Sequence, residues 1–593
     1  MNTPSQADID QLLALFAARR YADLEQAASS LLARSPEAGF VWKALSVAQK
    51  FQGKASLPAA QEAARLLPDD AEALLNLGAA QRERGLLDAA IASYRRTLLK
   101  NPGLADAHSN LANALADQGQ LDEAVSHCRQ AIAFAPQHAG AWLNLGYLLQ
   151  RMGLAQESID ASRRAVALTP ANAYAHNNLA NALRDLGQFA EAESHYREAL
   201  KFHPANARAL LSLAALLTDL GRPAEAAACC HAALKIEPQL AEAHNNLADA
   251  CKELQQFDAA LAAYTQALAL KPDHAQTHYN MSLLLLTLGR YDEAWPHHEW
   301  RTDPQRGKSA VRPPPLTSTA WQGEALDGQH IVLCHEQGYG DTIQFIRYAT
   351  LLKQMGAARV SLVCPSPLVP LMVGAAGVDD VFVTYETVPQ HDYHVLTMSL
   401  PHRCATRLDT IPAPIPYLAA QARHLEKWRT WLPQSGFKLG LAWKGSAHHK
   451  NDHNRSLPHL SSLAPLWQVP GISFVSLQKD QGEDEAAAPP PGQPLAAFAG
   501  RIDDFGDMAA LVQQMDLVIA VDTAVAHLAG ALDKPCWVLL PAGGTDWRWL
   551  RERDDSPWYP TTMRLYRQQQ AGDWRGAIER MAADLHALTH ERQ

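Results

Sequence analysis

Through its first half the chain repeats one apolar/polar pattern. Pro68, Pro102, Pro136, Pro170, Pro204, Pro238 and Pro272 stand 34 residues apart. The unit beginning at Ala71, AEALLNLGAAQRERGLLDAAIASYRRTLLKNPGL, recurs from Ala105, Ala139, Ala173, Ala207, Ala241 and Ala275, with a weaker copy from Glu37. At about 100° per residue, unit positions 4, 7, 8 and 11 gather on one helix face. Position 8 is Gly78, Ala112, Gly146, Ala180, Ala214 and Ala248, small enough to let two helices approach. Each unit therefore predicts a helix, a turn and a second helix. A single unit cannot bury its apolar face, so neighbours must stack.

This period and its small-residue positions resemble the tetratricopeptide repeat, over residues 1–300. The resemblance implies a right-handed, all-α superhelix with a concave face. Position 6 lies opposite the apolar face and is Asn76, Asn110, Asn144, Asn178, Asn246 and Asn280, with Ser212 the break. Asparagine is a mediocre helix former because its side chain competes for backbone groups. A carboxamide both donates and accepts, so a ladder of them suits an extended peptide of a partner protein held by its backbone. The alternative is that these residues bridge adjacent repeats. Position 13 is mostly acidic (Glu83, Asp117, Asp185, Asp219, Glu253), which favours a polar or basic partner or is simply a solvated face.

The pattern changes after Trp300. Residues 301–325, rich in proline, read as a linker. Short apolar runs then alternate with helical stretches: IVLC, VSLVC, VFV and HVLTM, and after a proline-rich bridge FKLGLAW, ISFVSL, LVIAV and CWVLLP. Two such blocks predict two α/β lobes with parallel sheets, 326–432 and 433–593. The last segment, DWRGAIERMAADLHALTH, is a helix expected to lie back across the first lobe.

Composition narrows the function. Hydrophobic residues make up 47% and charged residues 19%, which is globular material. A formal net charge of −10 with no long basic run disfavours nucleic acid or an anionic membrane as partner. No signal sequence or membrane span is visible, so a cytoplasmic location is expected. The eight cysteines form no C-x-x-C pair and read as small buried residues.

The stretch HIVLCHEQGYGDTIQFIRYATLL carries the candidate chemistry. Gly338 and Gly340 match the first two glycines of a dinucleotide loop, but its third position is Ile343. Asp341 puts a negative charge where a phosphate would need the helix dipole's positive end. The residue is either a helix cap or a general base. VDTAVAHLAGALDKP (521–535), QGYGD and WKGSAHHKNDHNRSL (443–457) together resemble the heptosyltransferase-type glycosyltransferases. That resemblance implies the GT-B arrangement of two Rossmann-like lobes, with the acceptor on the first and a nucleotide-sugar donor on the second. It makes Asp341 the catalytic base and Asp522, Thr523 and His527 donor-side residues. Lys444 and Arg455 are candidates to stabilise the departing phosphate. No D-x-D motif follows residue 300, so neither a metal nor a further cofactor is expected. His448, His449 and His453 read as a polar loop, and residues 543–550 as a lip of the donor pocket.

Repeats followed by such a module resemble bacterial protein glycosyltransferases, including those acting on flagellin, and share the organisation of O-linked N-acetylglucosamine transferase. The alternatives are a transferase acting on lipopolysaccharide or another glycan, and a scaffold whose module does not turn over.

Overall fold

The structure, a computed structural model, describes residues 4–412, 415–449, 451–498 and 500–590. Lys450 of the proposed phosphate-side loop, and Ala413 and Pro414 of the bridge, lie outside these. The chain forms two compact units, Met1–Ala250 and Cys251–Gln593.

The first unit is a succession of helix pairs. The repeats supply first helices Ala71–Glu83, Ala105–Asp117, Ala139–Arg151, Ala173–Asp185 and Ala207–Asp219. Each is followed by a second helix, such as Leu87–Lys100 and Leu121–Phe134. Four helices precede them, beginning at Gln6. The pairs are locked by the small residues the sequence singles out. A Cβ on Gly78 would stand 2.6 Å from the Tyr94 ring, and one on Gly146 2.4 Å from Ser162 Oγ. Between the helices of a pair the chain turns through a left-handed glycine, as at Gly119 and Gly153 (φ 82° and 76°).

The second unit contains helices Phe257–Leu270, Ala275–Thr287 and Tyr291–His298 and two wholly parallel sheets. The first sheet comprises β1 (Thr319–Ala320), β2 (His330–Cys334), β3 (Arg359–Val363), β4 (Asp380–Phe382) and β5 (Tyr393–Leu396), in the order β1-β5-β2-β3-β4. The second comprises β6 (Phe437–Ala442), β7 (Ile472–Ser476), β8 (Leu517–Val521), β9 (Cys536–Leu540) and β10 (Met563–Arg567), in the order β10-β9-β8-β6-β7.

Two expectations are corrected. Residues 301–325 are no free linker. Arg301 and Trp321 are fully buried, and β1 pairs with β5 through Thr319 and Ala320. Proline ended the repeat pattern, but the segment's few apolar and charged anchors still fold onto the module. Leu285, Tyr291 and Trp295 share one core with the first sheet, and the Trp295 indole donates to the Thr406 carbonyl at 2.8 Å. The terminal helix Arg575–His590 does not cross to the first lobe. Its Ile578, Met581 and Leu585 pack with Leu460, Leu463 and Leu466 of the second.

Candidate active site

Strand order determines where a ligand can enter. In an open parallel sheet, ligands sit beyond the carboxyl ends of the strands, where consecutive crossovers go to opposite sides. In the first sheet that point lies between β2 and β5, and in the second between β6 and β8. Asp341 follows β2. Lys444 and Arg455 follow β6, and Asp522 and Thr523 follow β8. The expected residues thus come from the two positions where the fold opens a crevice.

The helix that carries Asp341, Tyr339–Phe345, lies directly against helix Ala524–Ala531 of the other lobe. A Cβ on Gly340 would stand 2.9 Å from His527 Cδ2 and 3.5 Å from Ala524 Cα, so only glycine fits. Gly338, not Asp341, is the residue that caps this helix. Asp341 is three residues further on and reaches back, accepting the Gly338 N–H at 2.8 Å through Oδ2. Its Oδ1 is held by the Arg548 guanidinium. Burial pushes the Asp341 carboxyl up from its ordinary value, against the opposing pull of Arg548.

Arg548 is the residue that the sequence did not single out. It lies in the 543–550 segment expected to be a lip, yet it sits at the centre of the site with its side chain 6% exposed. Its Nη1 donates to Asp546 at 2.8 and 3.0 Å, and its Nε donates to Gln344 Oε1 at 2.5 Å. Burial works to raise Asp546, but the charge and hydrogen bonds of Arg548 hold its carboxyl below the usual range. Asp522 behaves oppositely: burial, then the Asp546 charge, push it up to about 6. Two residues here adopt left-handed backbone, Gln337 (φ 60°) before Asp341 and Leu550 (φ 51°) after Arg548. Strain of this kind collects at functional sites.

The other expected donor contacts divide. The Thr523 hydroxyl is buried without a hydrogen-bond partner, as a ligand-facing group would be. Arg455 bonds the Asp522 carbonyl at 3.1 Å, supporting the turn after β8. Lys444 is turned to Glu485, whose second oxygen accepts from the Leu460 N–H at 2.5 Å. His527, expected on the donor side, packs within the site. Its ring stacks on Trp549 with centroids 5.2 Å apart, Nδ1 meets the Tyr559 hydroxyl at 3.2 Å, and burial, then Arg548, lower it to about 3.

In the repeats the asparagines are half-buried, not open as their helical position implied. Asn144 Nδ2 donates to Ser109 Oγ at 3.0 Å and Asn178 Nδ2 to the Leu143 carbonyl at 3.4 Å, each in the preceding repeat. Asn280 Oδ1 accepts from Gln276 at 2.6 Å. Stacking brings the next repeat's helix within reach, so at Asn144 and Asn178 the bridging alternative holds. Asn76, Asn110 and Asn246 are half-buried as well.

Similarity to known proteins follows the same division. Tetratricopeptide repeat families match residues 52–105, 105–138, 139–172, 177–241 and 241–274. Glycosyltransferase family 9 (heptosyltransferase) matches residues 460–539. Protein FlbA of Caulobacter vibrioides is 27% identical over 334 residues, covering 51% of this chain and 53% of its own, so the chain spans about half the length of that curated relative. Among solved structures, the APC/C hetero-tetramer Cut9–Hcn1 matches 47% of this chain and 55% of its own, at 17% identity and a TM-score of 0.40. YrrB, described as a TPR protein with an unusual peptide-binding site, matches 32% of this chain and 98% of its own, at 20% identity and a TM-score of 0.27. The chain is thus built of tetratricopeptide repeats in its N-terminal region and a C-terminal glycosyltransferase family 9 (heptosyltransferase) domain.

Proposed function

We propose that this protein is a GT-B glycosyltransferase that moves a sugar from a nucleotide-sugar to a hydroxyl of a protein acceptor gathered by the repeats, flagellin being the narrowest form of the reading. One observation carries it. Asp341 and the β8 turn of Asp522 and Thr523 come from the crevice points of two parallel sheets, and the glycosyltransferase family 9 match takes in β7, β8 with its turn, and β9 but for its last residue.

In this reading the acceptor oxygen attacks the anomeric carbon as the bond to the leaving phosphate oxygen breaks. The hydroxyl proton passes to Asp341, and general-base help of this kind is typically worth about 10²–10⁴-fold. The lack of a D-x-D motif supports phosphate stabilisation by protein cations and dipoles instead of a metal. The described residues do bring His424, Asp504 and Asp507 together. However, Asp507 is already bonded to Lys427 Nζ at 2.7 Å and to the Trp428 indole at 2.9 Å, which fits packing better than a cation site. No helix among the described residues is long and apolar enough to cross a membrane. A nucleotide-sugar donor fits a cytoplasmic reaction.

A second reading, a module that binds nucleotide without turnover, is favoured by the engagement of both Asp341 oxygens. Asp341→Asn separates the two. Intact-mass analysis of proteins from cells carrying wild type, Asp341→Asn or no gene should show a sugar-sized mass increment only with wild type. An increment retained in full by the variant would remove Asp341 from the chemistry. No increment in any strain would favour the scaffold.

A further inference from the structure

Asp341 paired in this way is a weakened base. Oδ2 accepts the Gly338 N–H and Oδ1 is held by Arg548, whose positive charge draws down the proton affinity of the carboxylate although each oxygen keeps a free lone pair. Of these two partners, the backbone N–H belongs to the same helix turn and moves with Asp341. The guanidinium comes from the other lobe, 207 residues along the chain, and is also gripped by Asp546 and Gln344. Arg548 is the separable partner.

We propose that Arg548 is a substrate-gated cation: it is the group that binds the nucleoside-diphosphate end of the donor, and in turning to that ligand it releases Asp341 to accept the acceptor's proton. The inference rests on the glycosyltransferase reading above and assigns a residue and an order of events to it. Arginine suits this exchange, because its planar fork matches carboxylate and phosphate oxygens alike and stays charged throughout. Asp546 retains its grip on Nη1 and keeps the side chain in the site while Nη2 changes partner. When the bond between the anomeric carbon and the phosphate oxygen breaks, its electron pair stays on the diphosphate, beside Arg548. The acceptor's proton moves to the freed Asp341 oxygen. The gate also gives the unpartnered Thr523 hydroxyl a role, as a second donor at the same crevice.

The exchange makes an unusual prediction. If a diphosphate must compete with Asp341 for Arg548, removing the carboxylate charge should tighten diphosphate binding while abolishing transfer. Calorimetry on the full chain with ADP, GDP, UDP and dTDP measures this. The best of the four should bind Asp341→Asn about tenfold more tightly than wild type, since one charge-assisted bond no longer has to be broken. A general loss of negative charge would give some of the same gain, so the decisive comparison is made in an Arg548→Lys background. Lysine keeps the charge, and with it the fold, but cannot hold Asp546 and a second acceptor as a fork. There the effect of Asp341→Asn should shrink to within about twofold, a coupling that a double-mutant cycle reads directly. Binding by wild type should also take up protons on the acid side, because Asp341 loses the cation that opposes its burial, and that uptake should vanish in Asp341→Asn. Equal affinity of wild type and Asp341→Asn, or the same gain in both backgrounds, would overturn the gate while leaving the transferase reading intact. If none of the four nucleotides binds wild type, a nucleoside-diphosphate donor is excluded and the gate fails with it.

Discussion

The two units use charge in opposite ways. In the repeats, ion pairs recur on the surface with the period of the fold. Arg95–Glu123, Arg129–Glu157 and Arg163–Glu191 each join residues 28 apart, at 2.7 to 2.9 Å, with every side chain 42% to 58% exposed. Such pairs gain little, about 0–1 kcal/mol each, because water and salt screen them. The second unit has exposed pairs too, such as Arg407–Asp292, but adds buried ones that do not repeat. Arg301 (0% exposed) bonds both oxygens of Glu336 (1%) at 3.0 Å and Ser399 Oγ at 2.7 Å. Glu336 also accepts the Met398 N–H at 2.7 Å and stands at the start of the loop that ends in Asp341. A repeat array can lose any one of its pairs because every unit makes its own. Each buried pair of the module occurs once, and the Arg548–Asp341 pair holds a residue of the candidate site.

The largest expected effect breaks the buried side of this contrast. Arg301→Met leaves the Glu336 carboxyl buried without its cation and should destabilise the second unit by about 3–5 kcal/mol. Denaturant melting followed by hydrogen exchange would register the loss in Trp321 and the first sheet. Adding Glu336→Gln should restore a large part of it. A melt unchanged by Arg301→Met would mean that the pair is as dispensable as a surface one.

A smaller effect comes from Asp522 and carries a sign. Its carboxyl is raised to about 6 in the native state by burial and by Asp546. Between its ordinary value and 6 the native state therefore binds a proton that the unfolded chain releases. Ionising Asp522 destabilises the fold above pH 6, and the penalty fades as the pH falls towards 4. Asp522→Asn should be more stable than wild type at pH 7.5 by on the order of 1–3 kcal/mol, with the gain gone by pH 4. His527, lowered to about 3, acts in the opposite direction below pH 6.5, where the unfolded chain protonates it. It is present in both proteins, so the difference between them isolates Asp522. A gain that is equal at both pH values would mean that Asp522 is not the titrating group.

The smallest effect tests the repeats. Arg129→Ala should change stability by no more than about 1 kcal/mol, and less again at high salt. A loss above about 2 kcal/mol that survives salt would show that the surface pairs cooperate along the array.

Where the sequence was legible, the reason was locality. A 34-residue period means that each helix meets only its neighbours, so Gly78 against Tyr94 is readable from spacing alone. Eight of the ten strands stand out as apolar runs because both sheet faces are covered. β1 is two residues long, and β10, MRLYR, alternates charged with apolar residues at a sheet edge. Neither leaves a run to see. The turns that bear Asp341 and Asp522 were also legible, since a strand, a turn and a helix are contiguous in the chain.

What the sequence could not determine is which charge meets which. Arg548 reads as one cation between two tryptophans, and nothing local links it to an aspartate 207 residues earlier. The burial of Arg301 in a proline-rich stretch, the turn of Lys444 towards Glu485 and the half-burial of the asparagines have the same origin. By itself the sequence determined the repeats, the two parallel-sheet lobes and the crevice turns, because each depends on neighbours within one structural element or the next. Only the tertiary structure decided the partners of the buried charges. Desolvation forces each such group to find an opposite charge or, as at Arg347, a set of carbonyls and hydroxyls, and the chain's path through space decides which is there.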